Sequence, residues 1–570
     1  MKNQRTMFRN LIVVLALGLF LSSCSQNPAA LDLIPKESPF VSVLDVKSLA
    51  LKAELNAGDF KSLQFLEDEV SNESKELGKL YKKYRSNPSE TGINVLSDFF
   101  LFSTRDAGEG RYIALSTDLS DGKKFEAFVS QMLAESQKEL NLPSQFQIEE
   151  AGTFKTVVFD DAILAWDNSK MLFMAGQNYE DGKALLAQTE SLFALNGKAT
   201  IKDVASFNRF YERSTDLNLW LSFAYLKDIV PAYQNLSNMP YSLDDNYLSL
   251  HMDFTNEGIK LESIYDYSDE LAKLQKEYGL YDQSFNEKLL NYLPKESYMN
   301  ASFAINPEGM YKFMSAGGEG PETDMMLSQI QQATGMSMDK ILSSFGGSGA
   351  FSIYNFEAHT DTISTYKQEY NPKKFAYYDN SIGDSVYEGG FDFVPTEEVK
   401  ENTIPRLATV FDLKDQSTFQ KLLENEKVKN NILKTEKGSY VMDLGQTVFF
   451  FEFKDDMALF CNDPELVKAF QKDGLGENSL SKNPMAANMK NSHFTMYLNL
   501  NKADYPEIVQ SLIGDGLMRA PETAMNWISS LRSLDVSSEG TNKASIQLKT
   551  EKTEHNSLHE ILKMSEDFIF

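Results

Sequence analysis

Five histidines, two cysteines and 82 acidic residues are the groups in this 570-residue chain that can do chemistry, and their spacing decides which of them do. His555 and His559 are the two histidines closest in sequence. On one helix they would share a face and could hold a metal ion together. Ser557-Leu558-His559-Glu560, however, has the form of a capping box that starts a helix at Leu558 and leaves His555 outside it, and no third ligand lies nearby in sequence. No metal and no cofactor are therefore expected. Gly346-Gly347-Ser348-Gly349 lacks the Lys-Ser/Thr of a phosphate loop and the glycine spacing of a nucleophile elbow. The run Ala350 to Tyr354 that follows makes it a tight bend before a strand. Asp379-Asn380-Ser381-Ile382-Gly383-Asp384 approaches a calcium loop, but its glycine comes one position early and the closing Glu is missing. Cys461, at the end of Met457-Ala458-Leu459-Phe460, has the setting of a buried strand thiol. Acidic groups such as Glu67-Asp68-Glu69 and Asp455-Asp456 fall on helix exteriors and turn tips, where solvation accounts for them. No residue is assigned a catalytic role, and an enzyme is not expected.

The elements that position these residues occur twice. Ile34-Pro35-Lys36-Glu37-Ser38 returns as Leu293-Pro294-Lys295-Glu296-Ser297, each leading into an apolar strand, Phe40 to Val46 and Met299 to Ile305. Asp118-Leu119, Asp121 and Phe125 return as Asp412-Leu413, Asp415 and Phe419 at the head of a helix. A hairpin centred on Asp167-Asn168 returns around Asp455-Asp456, and the alternation Leu217, Leu219, Leu221, Phe223 returns as Phe494, Met496, Leu498, Leu500. The order is the same throughout, so two diverged copies of one module are expected. Tight hairpins such as Thr255 to Gly258 and Glu539 to Asn542 favour antiparallel sheet. Leu63, Leu66, Val70, Leu77, Tyr81 and Tyr84 form one helical stripe, with Met325 to Leu342 as its partner in the second copy. The fold class expected is α+β, two tandem copies of a module with antiparallel sheet and helices packed on one face.

Between the matching phrases the offset rises from 246 to 294, so the second copy carries 48 extra residues. They fall at about 352–405, as extra hairpins or a long ordered loop. The segment holds Tyr366, Tyr370, Tyr377, Tyr378 and Tyr387, a candidate interaction surface, since aromatics give contact area at small entropic cost.

Charge and the N-terminus bear on location. With 55 basic against 82 acidic residues the formal charge is −27, which opposes binding to nucleic acid or to anionic lipid by electrostatics alone. A hydrophobic content of 42% with 12% aromatics is that of a packed chain, not a disordered one. Lys2, Arg5 and Arg9 precede the apolar run Leu11 to Leu21, and Leu21-Ser22-Ser23-Cys24 follows it. The pattern resembles the bacterial lipoprotein signal, which implies residues 1–23 as signal peptide, a lipidated Cys24 and a 24–33 tether. The two modules then span 34–285 and 286–570.

The lipobox, the Leu-Pro-x-x-Ser opening and the passage Thr334-Gly335-Met336 through Ile341 to Gly347 together resemble large Bacteroidota envelope lipoproteins catalogued only as a domain of unknown function. They are similar in layout to another uncharacterised exported bacterial family. The resemblance implies a compartment, the outer membrane with a periplasm-facing body, and no activity. Asp361-Thr362-Ile363 and Asp384-Ser385-Val386 resemble the Asp-Ser/Thr-aliphatic sequon used in that phylum, which implies O-glycosylation at Thr362 and Ser385. The function expected is a non-enzymatic, lipid-anchored binding or scaffold protein that meets another envelope protein or glycan through the inter-module cleft or the second-module insertion. The alternative is a carbohydrate-binding or carbohydrate-processing lipoprotein.

Overall fold

A computed structural model of the chain describes residues 28–569 apart from 56–59, 61–63, 65–67, 69, 73, 106–110, 141–145, 160, 177–181, 227–241, 316–320, 380, 426–431, 436–437 and 512–521. The first ten strands are β1 (Phe40–Leu44), β2 (Phe99–Arg105), β3 (Arg111–Asp118), β4 (Glu149–Ala151), β5 (Phe154–Val158), β6 (Ala162–Trp166), β7 (Lys170–Gly176), β8 (Leu217–Ser222), β9 (Tyr247–Thr255) and β10 (Gly258–Asp266). The second ten are β11 (Met299–Ala304), β12 (Phe345–Asp379), β13 (Asp384–Leu413), β14 (Ile432–Lys434), β15 (Tyr440–Asp443), β16 (Val448–Lys454), β17 (Met457–Cys461), β18 (Phe494–Asn499), β19 (Leu531–Glu539) and β20 (Lys543–Thr550).

Among the described residues all pairings are antiparallel, and they form one sheet of twenty strands. From one edge the order is β4-β5-β6-β7-β3-β2-β1-β8-β9-β10. It continues through β10–β20 as β20-β19-β18-β11-β12-β13-β17-β16-β15-β14. Adding ten to each label of the first series gives the second, counted from the far edge. The halves therefore meet edge to edge, in register from Gly258 opposite Lys549 to Ile264 opposite Lys543. Gly258 is required at that join. Its φ is +131°, and a Cβ there would run into the Leu548 carbonyl of the neighbouring strand.

Burial alternates along β1 and β8, but an unbroken apolar run sets the layers at β6. β6 is buried at every position, so its odd and even side chains feed different cores. Leu164 and Trp166, with Met171 and Phe173 of β7, pack under α2 (Lys75–Ser86) and α3 (Gly122–Leu140) with Tyr81, Tyr84, Phe125 and Phe128. Here α1 denotes Val46–Lys52, which precedes them. Ile163, Leu172 and Met174 point the other way, under α4 (Gly182–Phe193) and α5 (Ala205–Tyr211), with Phe207, Phe210 and Trp220. The first half thus carries helices on both faces, which corrects the one-face expectation. A strand buried on both sides needs cover on both sides, and each large apolar side chain buried this way contributes roughly 1.5–3 kcal/mol.

In the second half, α7 (Pro464–Gln471) and α8 (Ala486–Asn491) cover one core containing Leu459, Cys461, Leu466, Phe470 and Met489. The opposite face holds, among the described residues, a cluster of Leu423, Ile432 and Tyr440 under α6 (Gln416–Leu423). The C-terminal helix α9 (Ser557–Ile569) packs back on α1 and β9 of the first half.

Three further expectations change. The helical stripe from Leu63 to Tyr84 is interrupted at Ser74, whose side chain caps α2 by accepting the Leu77 N–H at 3.1 Å; Leu63 and Leu66 lie outside the described residues. Ala29–Leu33, expected within a 24–33 tether, is a buried turn of 3-10 helix held by the Asp118 carboxylate, which accepts the Ala30 N–H at 2.8 Å; residues 24–27 lie outside the described residues. The capping residue of α9 is Asn556, not Ser557, since the Ser557 hydroxyl donates to the Gly258 carbonyl at 2.9 Å and Asn556 accepts the Leu558 N–H.

Candidate interaction surface

The extra 48 residues form one hairpin. Up to Ile353, β12 is flanked by β11, and β13 is flanked by β17 at Ala408 to Asp412. From Asn355 opposite Arg406 to Asp379 opposite Asp384, the two strands pair only with each other. Twenty-five residues of extended strand reach about 80 Å. The Gly346–Gly349 segment, expected as a tight bend, is instead a register irregularity inside β12, where Gly349 passes so close to the Phe303 ring that a Cβ would overlap it. Tyr298, Phe356 and Tyr505 pack edge-on and tilted against one another where the ribbon leaves the sheet, with ring centroids 4.6 to 5.9 Å apart. Arg406 pairs with Glu357 beside them.

Strand pleating sorts the ribbon's side chains. Residues opposite one another share a face, so Tyr366 lies with Pro395, Gln368 with Phe393 and Tyr370 with Phe391. Tyr370 and Phe391 meet edge to face at 5.6 Å. Past the irregularity at Asn371/Phe375, continuous alternation along β13 keeps Tyr387 and Ser385 on this face, and Tyr378 with them. Thr362, opposite Val399, belongs to it as well. Tyr377 points to the other side, opposite Val386. The opposite face carries Lys367, Glu369, Asp392 and Thr396.

Four of the five expected tyrosines therefore line one aromatic face, and Tyr377 does not. All five are exposed, from 50% to 67%, as are Phe391, Phe393 and Val399. Phe391, Phe393 and Val399 were missed in the sequence, although the alternation Phe391-Asp392-Phe393-Val394 carried the signal. At the ribbon's bend Lys373 sits over the Tyr387 ring and Lys374 over Phe393. Asp392, bonded by the Asn371 amide at 2.7 Å and paired with Lys374 at 3.0 Å, is held below the usual carboxylate range. The Asp379–Asp384 segment closes the tip as a turn, with Asp379 accepting from the Ser381 N–H and hydroxyl. Thr362 and Ser385 are exposed. Cys24 lies outside the described residues.

The remaining candidates are structural. Cys461 is buried in the second-half core, and burial pushes its thiol up to about 12, out of reach of nucleophilic use at neutral pH. Trp166 and Trp220 are fully buried. His251 is buried with Nδ1 3.0 Å from the Asn218 side-chain oxygen, and desolvation lowers its pKa. His555 and His559 stack with centroids 4.6 Å apart, and Glu54, from the other end of the chain, sits 2.9 Å from His555 Nδ1. A cavity of about 270 Å³ beside Gly122, Gly152 and Asp167 is lined by Glu126 and Glu150, and Glu126 forms an ion pair with Lys155 at 2.7 Å. Among the described residues no helix is long and apolar enough to cross a membrane.

A family model described as Domain of unknown function (DUF4836) matches residues 31–558. No curated protein and no solved structure matches the chain.

Proposed function

The chain belongs to that family of unknown function, DUF4836, and for it we propose a non-enzymatic, lipid-anchored cell-envelope protein that binds another envelope protein through the aromatic face of the β12–β13 ribbon. The observation that carries this reading is the row of exposed aromatics, Tyr366, Tyr370, Tyr378, Tyr387, Phe391 and Phe393, on one face of the outer part of the ribbon. A two-stranded ribbon cannot bury one face by itself, and isolated hairpins are marginal in water. Exposed aromatics with two open strand edges suit a partner that adds a strand or lies across the face. The join between the halves is a strand pair, so the reading rests on the ribbon and not on a cleft between them.

The palindromic strand order, with β(n) matched by β(n+10), supports two tandem copies of one module, the second with the ribbon inserted where the first has a short hairpin. The buried turn at Ala29–Leu33 supports a body held close to a lipid on Cys24. Replacing Cys24→Ser should release the protein from the membrane fraction; retention there would remove the anchor. The sequons at Thr362 and Ser385 put any glycan on the aromatic face, and an intact mass explained by lipid alone would remove it.

Crosslinking and affinity capture from native membranes, with the full chain and with a variant lacking residues 356–403, tests the main reading. Loss of one protein partner from the shortened variant is expected. Identical partner sets would overturn it, and capture of glycan alone would favour the carbohydrate-binding alternative.

A further inference from the structure

Outside the ribbon, two histidines near the C-terminus and one glutamate near the N-terminus converge. Ligand atoms of Glu54, His555 and His559 all lie within 4.8 Å of one another. We propose that these three side chains bind a zinc-like divalent transition-metal ion, which fastens helix α9 to the end of α1.

Each residue is delivered by a different constraint. Glu54 follows α1 with φ of +55°, a left-handed backbone that a non-glycine residue holds only when its surroundings fix it. His555 lies just ahead of α9, and Asn556 caps that helix, so His559 falls in its first turn on the same side. The Ala53 carbonyl lies 3.0 Å from His559 Nδ1. A carbonyl accepts only, so it orients the ring and places the proton on Nδ1, the way a second partner orients a metal-binding imidazole. The edge of Phe60 packs on the same ring at 5.3 Å. His559 is 11% exposed, whereas His555 and Glu54, at 47% and 36%, remain open to an entering ion.

The donor set selects the ion. Two imidazoles and one carboxylate suit a borderline ion such as zinc, while calcium and magnesium prefer oxygen throughout. A four-coordinate ion with bonds of about 2.0–2.1 Å brings its ligands to about 3.3 Å apart. His555 Nδ1 is already 2.9 Å from Glu54, and His559, whose Nδ1 proton is held by the Ala53 carbonyl, offers Nε2 as its ligand atom, so rotations of the exposed Glu54 and His555 side chains close the set. Three protein ligands leave a fourth position for water. Glu554 and Glu560 add negative potential around His555. In the helix after β10, capped by Ser268, Tyr267 and Leu271 occupy the positions that His555 and His559 hold relative to the cap, so that helix carries neither imidazole.

The test uses the full metal-free chain. Zinc titration by calorimetry should give one equivalent bound with a Kd of micromolar or tighter, cobalt should give tetrahedral visible absorption, and calcium and magnesium should give nothing. Glu54→Gln and His555→Ala, both at partly exposed positions, should each weaken zinc binding at least tenfold while leaving the unliganded melting temperature within a few degrees. His559→Ala should abolish binding, but it also removes packing on Phe60, so the first two variants decide. Zinc affinity unchanged in both, or no binding by the full chain at millimolar zinc, overturns the proposal and leaves a plain His–Glu ion pair.

Discussion

The two halves of the sheet share an order of pairing and differ in where their aromatic residues go. In the first half, Trp166, Tyr81, Tyr84, Phe125 and Phe128 fill a core between the sheet and α2–α3. On the matching face of the second half the buried cluster is smaller, Leu423, Ile432 and Tyr440, with Phe451 and Phe453 partly buried against it and Phe345, Phe411 and Phe419 packed ring to ring nearby. The hairpin β2–β3 ends after a few residues, while its counterpart β12–β13 continues as a ribbon whose aromatics face solvent. The first half buries Trp166 and its aromatic neighbours in its own core, whereas the second half leaves those of the ribbon exposed to solvent. That division follows from geometry: lengthening a hairpin beyond the edge of its neighbours adds surface without adding a layer to cover it.

Core truncation should show the difference most strongly. Trp166 is buried, with the Phe125 ring edge-on at 5.4 Å. Trp166→Ala should cost about 3–5 kcal/mol in urea unfolding. A loss below about 1.5 kcal/mol would mean that the first-half core is not the stabilising layer.

Next in size is a titration confined to one half. Asp98 accepts the Tyr211 hydroxyl at 2.6 Å, and burial raises its pKa to about 6. At the offset aligning Leu96 with Leu342, the second half has Ser344 in its place. Because the folded pKa lies above the unfolded one, the native state holds this proton more tightly, so its contribution to stability falls as pH rises from about 4 to about 6 and stays low above that. Asp98→Asn should remove that fall, gaining on the order of 1–3 kcal/mol relative to wild type at pH 7 compared with pH 4. Equal differences at the two pH values would show that Asp98 ionises as in the unfolded chain.

A third, smaller effect separates the thin cluster from the thick one. Tyr440 donates to Glu424 at 2.7 Å beside Lys434. Tyr440→Phe should cost about 0.5–1.5 kcal/mol. A loss as large as that of Trp166→Ala would erase the contrast between the two faces.

Much of this was legible in the sequence because it is local. The recurring Pro-Lys-Glu-Ser phrases do sit in equivalent places, each making an isolated bridge, Pro35 with Thr200 and Pro294 with Ser479. The hairpins at Asp167-Asn168 and Asp455-Asp456 follow from strand alternation around two turn residues, and Cys461 is the buried strand thiol its apolar run implied. What escaped depends on pairing between distant segments. Period-2 alternation in Phe391 to Pro395 gives a face only when the register against Tyr366 to Tyr370 is known. The two-sided burial of Ala162 to Trp166 was present as an unbroken apolar run, but a short run of that kind does not say which layers cover it. Glu54 and His555 are 501 residues apart, and nothing local joins them.

The smallest stability effect belongs to the ribbon, where it is the most informative. Tyr366, Phe391 and Phe393 are 67%, 53% and 62% exposed, so the fold gains little from them. Tyr366→Ser, Phe391→Ser and Phe393→Ser should each change stability by no more than about 0.5 kcal/mol. Together they should reduce partner capture as far as removal of residues 356–403 does, because aromatic anchors supply most of the binding energy at such surfaces. Tyr377→Ser, on the opposite face, should leave capture intact and serves as the internal control. If the triple variant unfolds the protein, the aromatics are core residues of the ribbon and the two halves use them alike. If it folds and still captures the partner, the open strand edges hold the partner without the aromatic face.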